Sequence, residues 1–267
     1  MHSNESERAL PINRRALAIW EDALGPDHPV TATGLINLAG SFIELDRFDE
    51  ALPLEIRALS IFEKTKGFTH PFTANALSNI GSTYVGLGEG ERALPLQLRA
   101  VAILEGRLGP DHPETALKLA QAGVNLYELH LLDPAAAFLK ASVNAYQSTR
   151  ARVSRIDRTA LTEYTESIVG AYQRLAEVLT DQGRLSEAQM VLDMLKEDEQ
   201  FDFIRRAGDA DPRRTRIGYT PTEQKWIGRY REIADRLAAL GKEEQTPTDT
   251  PSGGCEVDVL ARHLQNL

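Results

Sequence analysis

Three histidines stand at equal intervals: His28, His70 and His112, each 42 residues after the last and each followed by proline. Two lie in the stretch LGPDHP, at 24–29 and 108–113, and the middle one in KGFTHP at 66–71. Imidazole nitrogens ligate metals and move protons near neutral pH, so three of them raise a metal or acid–base reading. Their regularity argues against it. Stacked helical units carry equivalent atoms about 10 Å apart, whereas a zinc–nitrogen bond is about 2 Å. The histidines are read instead as polar turn or capping groups. Gly25 and Gly109 stop one helix in a left-handed conformation, Asp27 or His28 caps the next, and Pro29, Pro71 and Pro113 fill its first turn. A second pair of suggestive residues is Cys255 and His263. Cys255 follows TPSGG in a linker-like tail with no other base nearby, so a chance thiol is the better reading. Neither set supports an enzyme, and no cofactor or metal is expected.

The elements around these turns repeat with the same step. ALPI at 9–12 becomes ALPL at 51–54 and at 93–96; RALAIW at 15–20 becomes RALSIF at 57–62 and RAVAIL at 99–104. LINLAGSF at 35–42 becomes LSNIGSTY at 77–84 and LAQAGVNL at 119–126. A fourth copy, QGRLSEAQMVL at 182–192, follows after 11 extra residues, which are expected to lengthen the connection around STRARVSRID and the start of the next helix. Leu35, Leu38, Ala39, Phe42 and Leu45 recur at steps of three and four, and so do Ala51, Leu54, Ala58, Ile61 and Phe62, which is the spacing of helix faces. Each unit is therefore two antiparallel helices, A and then B, with Ala39, Gly81, Ala51 and Ala93 where they approach closely. Neither helix buries its apolar stripe alone; stacking against the next pair does so. Pro53 and Pro95 are expected within the first turn of helix B, where a missing N–H costs little. The fold class is all-α, a right-handed α-solenoid of antiparallel helix pairs with a C-terminal helical extension.

Composition narrows the function. The chain has 267 residues, a formal net charge of −9 and one cysteine. The charge counts against general nucleic-acid binding, and a single cysteine excludes an internal disulfide framework. The N-terminus MHSNESERAL lacks the pattern of a secretory signal, and no segment approaches the roughly 18 consecutive apolar residues of a membrane helix, so a cytoplasmic setting with no membrane partner is expected. Arg205, Arg206, Arg213, Arg214 and Arg216 form a basic cluster, but Asp209 and Asp211 interrupt it and no aromatic platform is interleaved. It is read as a solvated linker, and nucleic acid as an unlikely partner.

LGPDHPxTA, LxNLA and ALPLxxRAL at a period of 42 resemble the kinesin light chain subtype of tetratricopeptide repeats, over residues 9–203. The stretches at 174–206 and 219–243 resemble the end of the repeat region in bacterial tetratricopeptide–CHAT proteins, without the protease domain that follows there. The resemblance implies an array over 1–203, comprising a lone helix at about 5–24 and repeats at about 30–65, 72–107, 114–149 and 156–203. An irregular basic linker at 204–218, a C-terminal helix at 219–243 and a flexible tail at 244–267 follow. Val257, Leu260, Leu264 and Leu267 would give that tail a short apolar stripe. It also implies a concave groove lined by A helices, in which amide side chains hold an extended peptide. The matching positions are Asn37, Asn79, Gln121 and Arg174, with Thr33, Asn75, Ser78 and Ser82 beside them. An amide both donates and accepts, so such a row suits a peptide backbone of any sequence. The expected partner is a protein or peptide segment, with a CHAT-type protease as an alternative. The first helix, carrying Leu17, Ile19 and Trp20, lacks its own A helix, so upstream repeats, a partner or a second copy is expected on that edge.

Overall fold

The turns between units share one construction. Gly25, Gly67 and Gly109 have φ of 92°, 93° and 94°. At Gly67 this combines with ψ 162°, an extended conformation open to glycine alone. Three residues later the histidine caps the next helix. Nδ1 of His28, His70 and His112 accepts the N–H of Val30, Phe72 and Glu114, at 3.2, 3.1 and 3.2 Å. Pro29, Pro71 and Pro113 each open a helix, where no N–H is required. Buried Thr31, Thr73 and Thr115 close the ring by donating Oγ1–H to the glycine carbonyls, at 2.8, 2.8 and 3.0 Å. Asp27 takes no part in capping; it pairs with Lys64 at 2.8 Å. The cap needs an unprotonated Nδ1, and His70 is held below the ordinary histidine range by burial, then by the Lys66 and Arg107 cations.

A second turn, from A to B, repeats with the same period. Asp46, Gly88 and His130 have φ of 55°, 76° and 59°, and Gly183 follows at 74°. Here the left-handed residue follows helix A, and the N–H of the residue after it reaches back into the last turn, as when Arg47 N–H donates to Phe42 C=O at 2.9 Å.

The structure, a computed structural model, describes residues 2–153, 158–204 and 216–243. Among these, all regular structure is helical: α1 His2–Leu24, α2 Pro29–Ile43, α3 Phe48–Lys66, α4 Pro71–Gly86, α5 Gly90–Leu108, α6 Pro113–Glu128, α7 Leu132–Val153, α8 Arg158–Asp181, α9 Leu185–Ile204 and α10 Pro221–Glu243. The chain forms two compact units, Met1–Arg107 with Glu232–Leu267, and Leu108–Arg231. Within each, helices adjacent in sequence pack on one another: α1 on α2, α2 on α3 and α3 on α4 in the first, and α6 on α7, α7 on α8 and α8 on α9 in the second. This sequential pairing is that of a helical-repeat solenoid. The 11 residues that interrupt the period go into helices. α7 and α8 have 22 and 24 residues against 19 and 16 for α5 and α6.

Close approach is made by small residues. Ala39, Ala51 and Ala93 are fully buried. A Cβ on Gly81 would lie 2.8 Å from the Gln97 side chain, and one on Gly34 2.6 Å from the Trp20 ring. Pro53 and Pro95 depart from expectation. Each is the sixth residue of its helix, past the first turn, so the carbonyls of Asp49 and Glu91 lose their intrahelical donor. Successive B helices in the first unit are joined by a repeated ion pair. Arg57 of α3 meets Glu21 of α1 at 2.7 Å, and Arg99 of α5 meets Glu63 of α3 at 2.9 Å.

Between helix B and the following helix A lies a polar bridge with the same period. Asn13 Nδ2 donates to Ser41 Oγ at 2.8 Å, and Thr83 Oγ1 donates to Glu55 Oε2 at 2.7 Å; the next equivalent is the buried Gln97. Glu55 is 1% exposed. Burial pushes its carboxyl up to about 7, against a smaller opposing effect of the Thr83 hydrogen bond. The folded chain thus holds this proton more tightly than the unfolded chain, and stability falls as pH rises from about 4.5 to 7. Glu55→Gln supplies the neutral amide already present at Gln97. Urea unfolding at pH 8 is expected to show it more stable than the parent by about 2 kcal/mol, with the difference gone at pH 4.5.

Candidate functional site

Each A helix carries a polar stripe at steps of four and three, the spacing of one helix face. On α2 the stripe is Thr33, Asn37 and Gly40, continued by the C-cap Glu44, with Thr33 and Asn37 exposed. On α4 it is Asn75, Asn79, Ser82 and Gly86; Asn75 and Asn79 are half-buried and Ser82 is exposed. Ser78, one position off this stripe, is 2% exposed and faces the interior. Thr33 Oγ1 donates to its own first turn at Pro29 C=O, 3.3 Å, and the Asn37 carbonyl receives Asn13 Nδ2 at 3.4 Å and Ser41 Oγ at 3.3 Å. Gly40 and Ser82 keep the stripe shallow beside the asparagines, which leaves room for a main chain to approach.

In the second unit the matching positions are Gln121 of α6 and Arg174 of α8, both half-buried. Arg174 is engaged by its own surroundings. It meets Glu177 at 2.8 Å and lies 5.9 Å from the centre of the Tyr127 ring on α6, while Tyr127 Oη donates to Asp181 at 2.6 Å.

Sequence reasoning missed the most developed polar constellation, on α7. Lys140, Asn144 and Ser148 are spaced by four, on one face of that helix, and all three contact the segment 216–220, which has no regular secondary structure. Asn144 takes both main-chain groups of Ile217: its Oδ1 accepts the N–H at 2.8 Å and its Nδ2 donates to the C=O at 3.1 Å. Lys140 Nζ donates to Gly218 C=O at 2.9 Å, and Arg216 donates to Ser148 Oγ at 3.1 Å. Ile217 is 2% exposed. The segment then enters α10 through a reciprocal cap, in which Thr220 N–H donates to Glu223 Oε2 at 2.7 Å and Glu223 N–H to Thr220 Oγ1 at 3.2 Å.

Glu223 also closes a buried ionic network. Lys140, 0% exposed, meets Glu223 at 2.9 Å and Glu187 at 3.0 Å; Arg184 meets the same two carboxylates, each at 2.7 Å. Burial alone would raise the Glu223 carboxyl, but the Arg184, Thr220 N–H and Lys140 hydrogen bonds outweigh it and hold the group below the usual carboxylate range. A visible signal existed. At the positions of Lys140 and Asn144 the preceding B helices carry Leu98 and Ala102, and before them Ile56 and Ser60. Packing of α10 is completed by Tyr230, whose ring meets Phe138 edge-on at 5.1 Å.

Among the described residues no group of three or more histidine, cysteine or acidic side chains could hold a metal ion, and no helix is long and apolar enough to cross a membrane. Each histidine of the repeat serves its own turn. Cys255, His263, the apolar stripe of the tail and the arginines from Arg205 to Arg214 lie outside the described residues. Arg216 is exposed, and besides Ser148 it faces Asp111 at 3.8 Å.

A family model described as tetratricopeptide repeat matches residues 1–64 and 70–148. Comparison with curated protein sequences gives no match. Among solved structures, two of Podosopora anserina, described as kinesin light chain nearly identical TPR-like repeats, are each 20% identical to this chain. They cover 76% of it and 90% of their own length, with TM-scores of 0.55 and 0.54. BtubC (BKLC) from P. vanneervenii is 18% identical, covers 81% of this chain and 80% of its own, and has a TM-score of 0.63. These likenesses are of fold.

Removing one partner from the network leaves a buried cation short of a counter-charge. Glu223→Gln is expected to lower stability by about 3 kcal/mol in urea unfolding at pH 7, and to shed less as pH falls, because the parent itself loses this carboxylate in acid.

Proposed function

The chain belongs to the tetratricopeptide repeat family, and from that premise we propose that it is an interaction scaffold that holds a peptide or protein segment along its A helices. The observation that carries this reading is the recurrence of Asn37 and Asn79 at equivalent places on successive A helices, flanked by small residues. Each amide can donate to a carbonyl and accept from an N–H, so the row suits a main chain whatever its side chains. Thr33 and Asn75 extend the row one turn toward the histidine cap. Ser78, being buried, contributes through packing. Gln121 and Arg174 are the corresponding groups of the second unit. The hold of Asn144 on Ile217 supports the chemistry: an asparagine of this same chain pairs with both main-chain groups of one residue.

Two further proposals concern partners. Ile12, Ile19 and Leu24 of α1 are exposed, and Ile19 is the counterpart of the buried Ile61 and Ile103, so this edge suits a further helix pair or a second copy. The resemblance of 174–206 and 219–243 to the ends of CHAT-associated repeat arrays favours, as a second reading, a regulatory arm acting on such a protease in trans. One cysteine in 267 residues accords with a reduced, cytoplasmic setting.

The test begins with peptides selected from a displayed library on the full chain. Asn37→Ala with Asn79→Ala is expected to weaken the selected peptides about tenfold or more, the loss of one or two net hydrogen bonds, while the melting temperature stays put. Unaltered affinity in that double variant sinks the groove.

A further inference from the structure

We propose that the face of α7 bearing Lys140, Asn144 and Ser148 is a second peptide-binding site, occupied in the resting chain by its own Arg216–Glu223, and that it takes in trans a segment of the same chemistry. It is distinct from the A-helix row, since α7 is a B helix, and it does not rest on that row's reading.

The contacts divide into those blind to sequence and those that read it. Asn144 holds the N–H and C=O of Ile217, and Lys140 holds the C=O of Gly218; these would accept any main chain. Two side chains carry identity. Ile217 is buried as an aliphatic anchor, and Glu223, six residues later, delivers a carboxylate that is 0% exposed to Lys140 and Arg184. Without the segment these two cations would share Glu187 alone, a surplus of positive charge that calls for an anion. The ligand class follows: a polypeptide with an aliphatic residue and, six positions on, a carboxylate in the first turn of a helix. Arg216, exposed and between Ser148 and Asp111, adds a preference for a basic residue just before the anchor. A tethered occupant competes at an effective concentration of about millimolar, so a ligand in trans gains the site when the internal segment is weakened or when it binds appreciably tighter than that.

The test uses the full-length chain and a fluorescein-labelled peptide spanning residues 214–226. Ile217→Asp should eject the internal segment and bind the peptide at least tenfold more tightly than the parent does. Adding Asn144→Ala should reverse that gain about tenfold, and a peptide carrying Ile217→Asp should not bind. Absence of peptide binding by a fully helical Ile217→Asp chain overturns the proposal, as does binding indifferent to Asn144→Ala. Ile217→Ala serves should the aspartate unfold the protein. In the parent, the Ile217 amide is expected to exchange hydrogen by local opening, at a rate insensitive to low urea; exchange only through global unfolding would mean that the segment never leaves, and would equally overturn it. Asn37→Ala with Asn79→Ala should leave this peptide's binding unchanged, which separates failure here from failure of the A-helix row.

Discussion

A helix of 15 to 19 residues, the length of α2 and α3, is marginal in water by itself, and its apolar stripe must find a neighbour. Every other feature of this chain answers that constraint. Within each compact unit the neighbour is mainly the helix adjacent in sequence, so a turn need only reverse the chain within three or four residues and present the following stripe at the correct rotation. The inter-unit turn does this with fixed parts: a glycine at φ near 93°, a histidine acceptor, a proline that already has a helical φ, and a threonine that ties the far side back to the glycine carbonyl. Because the same parts recur at a 42-residue step, the same rotation recurs with them. Histidine serves these turns as a hydrogen-bond acceptor through Nδ1.

The arrangement of helices was legible because it rests on patterns that repetition amplifies: apolar residues at steps of three and four, small residues at contacts, and glycine–histidine–proline turns. What stayed hidden was chemistry that the repeat disguises or abandons. The left-handed A-to-B positions are occupied by Asp46, Gly88 and His130, and only one of those three residue types announces that conformation. The proline of helix B was misplaced because its motif does not reveal how many residues precede it in the helix. The cover over Phe42 and Tyr84 is a charge swap. Arg47 pairs with Glu50 in one unit, and Glu89 with Arg92 in the next, yet an arginine lies over the ring in both, 4.7 and 4.3 Å from its centre. Residue-by-residue comparison reads that as divergence, although the physical arrangement is kept. Ser78 looked like a groove residue from its neighbours alone, and its burial follows from a rotation of one position around the helix. Lys140 and Asn144 stand where the pattern stops repeating, since the equivalent positions hold Leu98 and Ala102 and, before them, Ile56 and Ser60.

The two buried carboxyls show how environment rather than residue type sets charge. Glu55 has one hydroxyl donor and no cation at hand, so the interior keeps its proton on. Glu223 is as thoroughly buried but meets two cations and a backbone N–H, so it stays ionised. The first is a polar bridge that Asn13 makes without a charge at the equivalent position; the second is an ionic lock between α7, α9 and the start of α10, in which removing one partner strands a buried charge.

Of the ion pairs between successive B helices, Arg57–Glu21 is half-exposed and contributes at most about 1 kcal/mol, whereas Arg99–Glu63 is more deeply set. Their value lies in direction. In the first unit α3 hands Arg57 to the B helix before it and Glu63 to the B helix after it. A lattice wired head to tail in this manner can be lengthened by copying any 42-residue stretch whole. The duplicate arrives with one hand for each neighbour, and no charge is stranded at the join. Growth by duplication is thus open to this architecture at little physical risk.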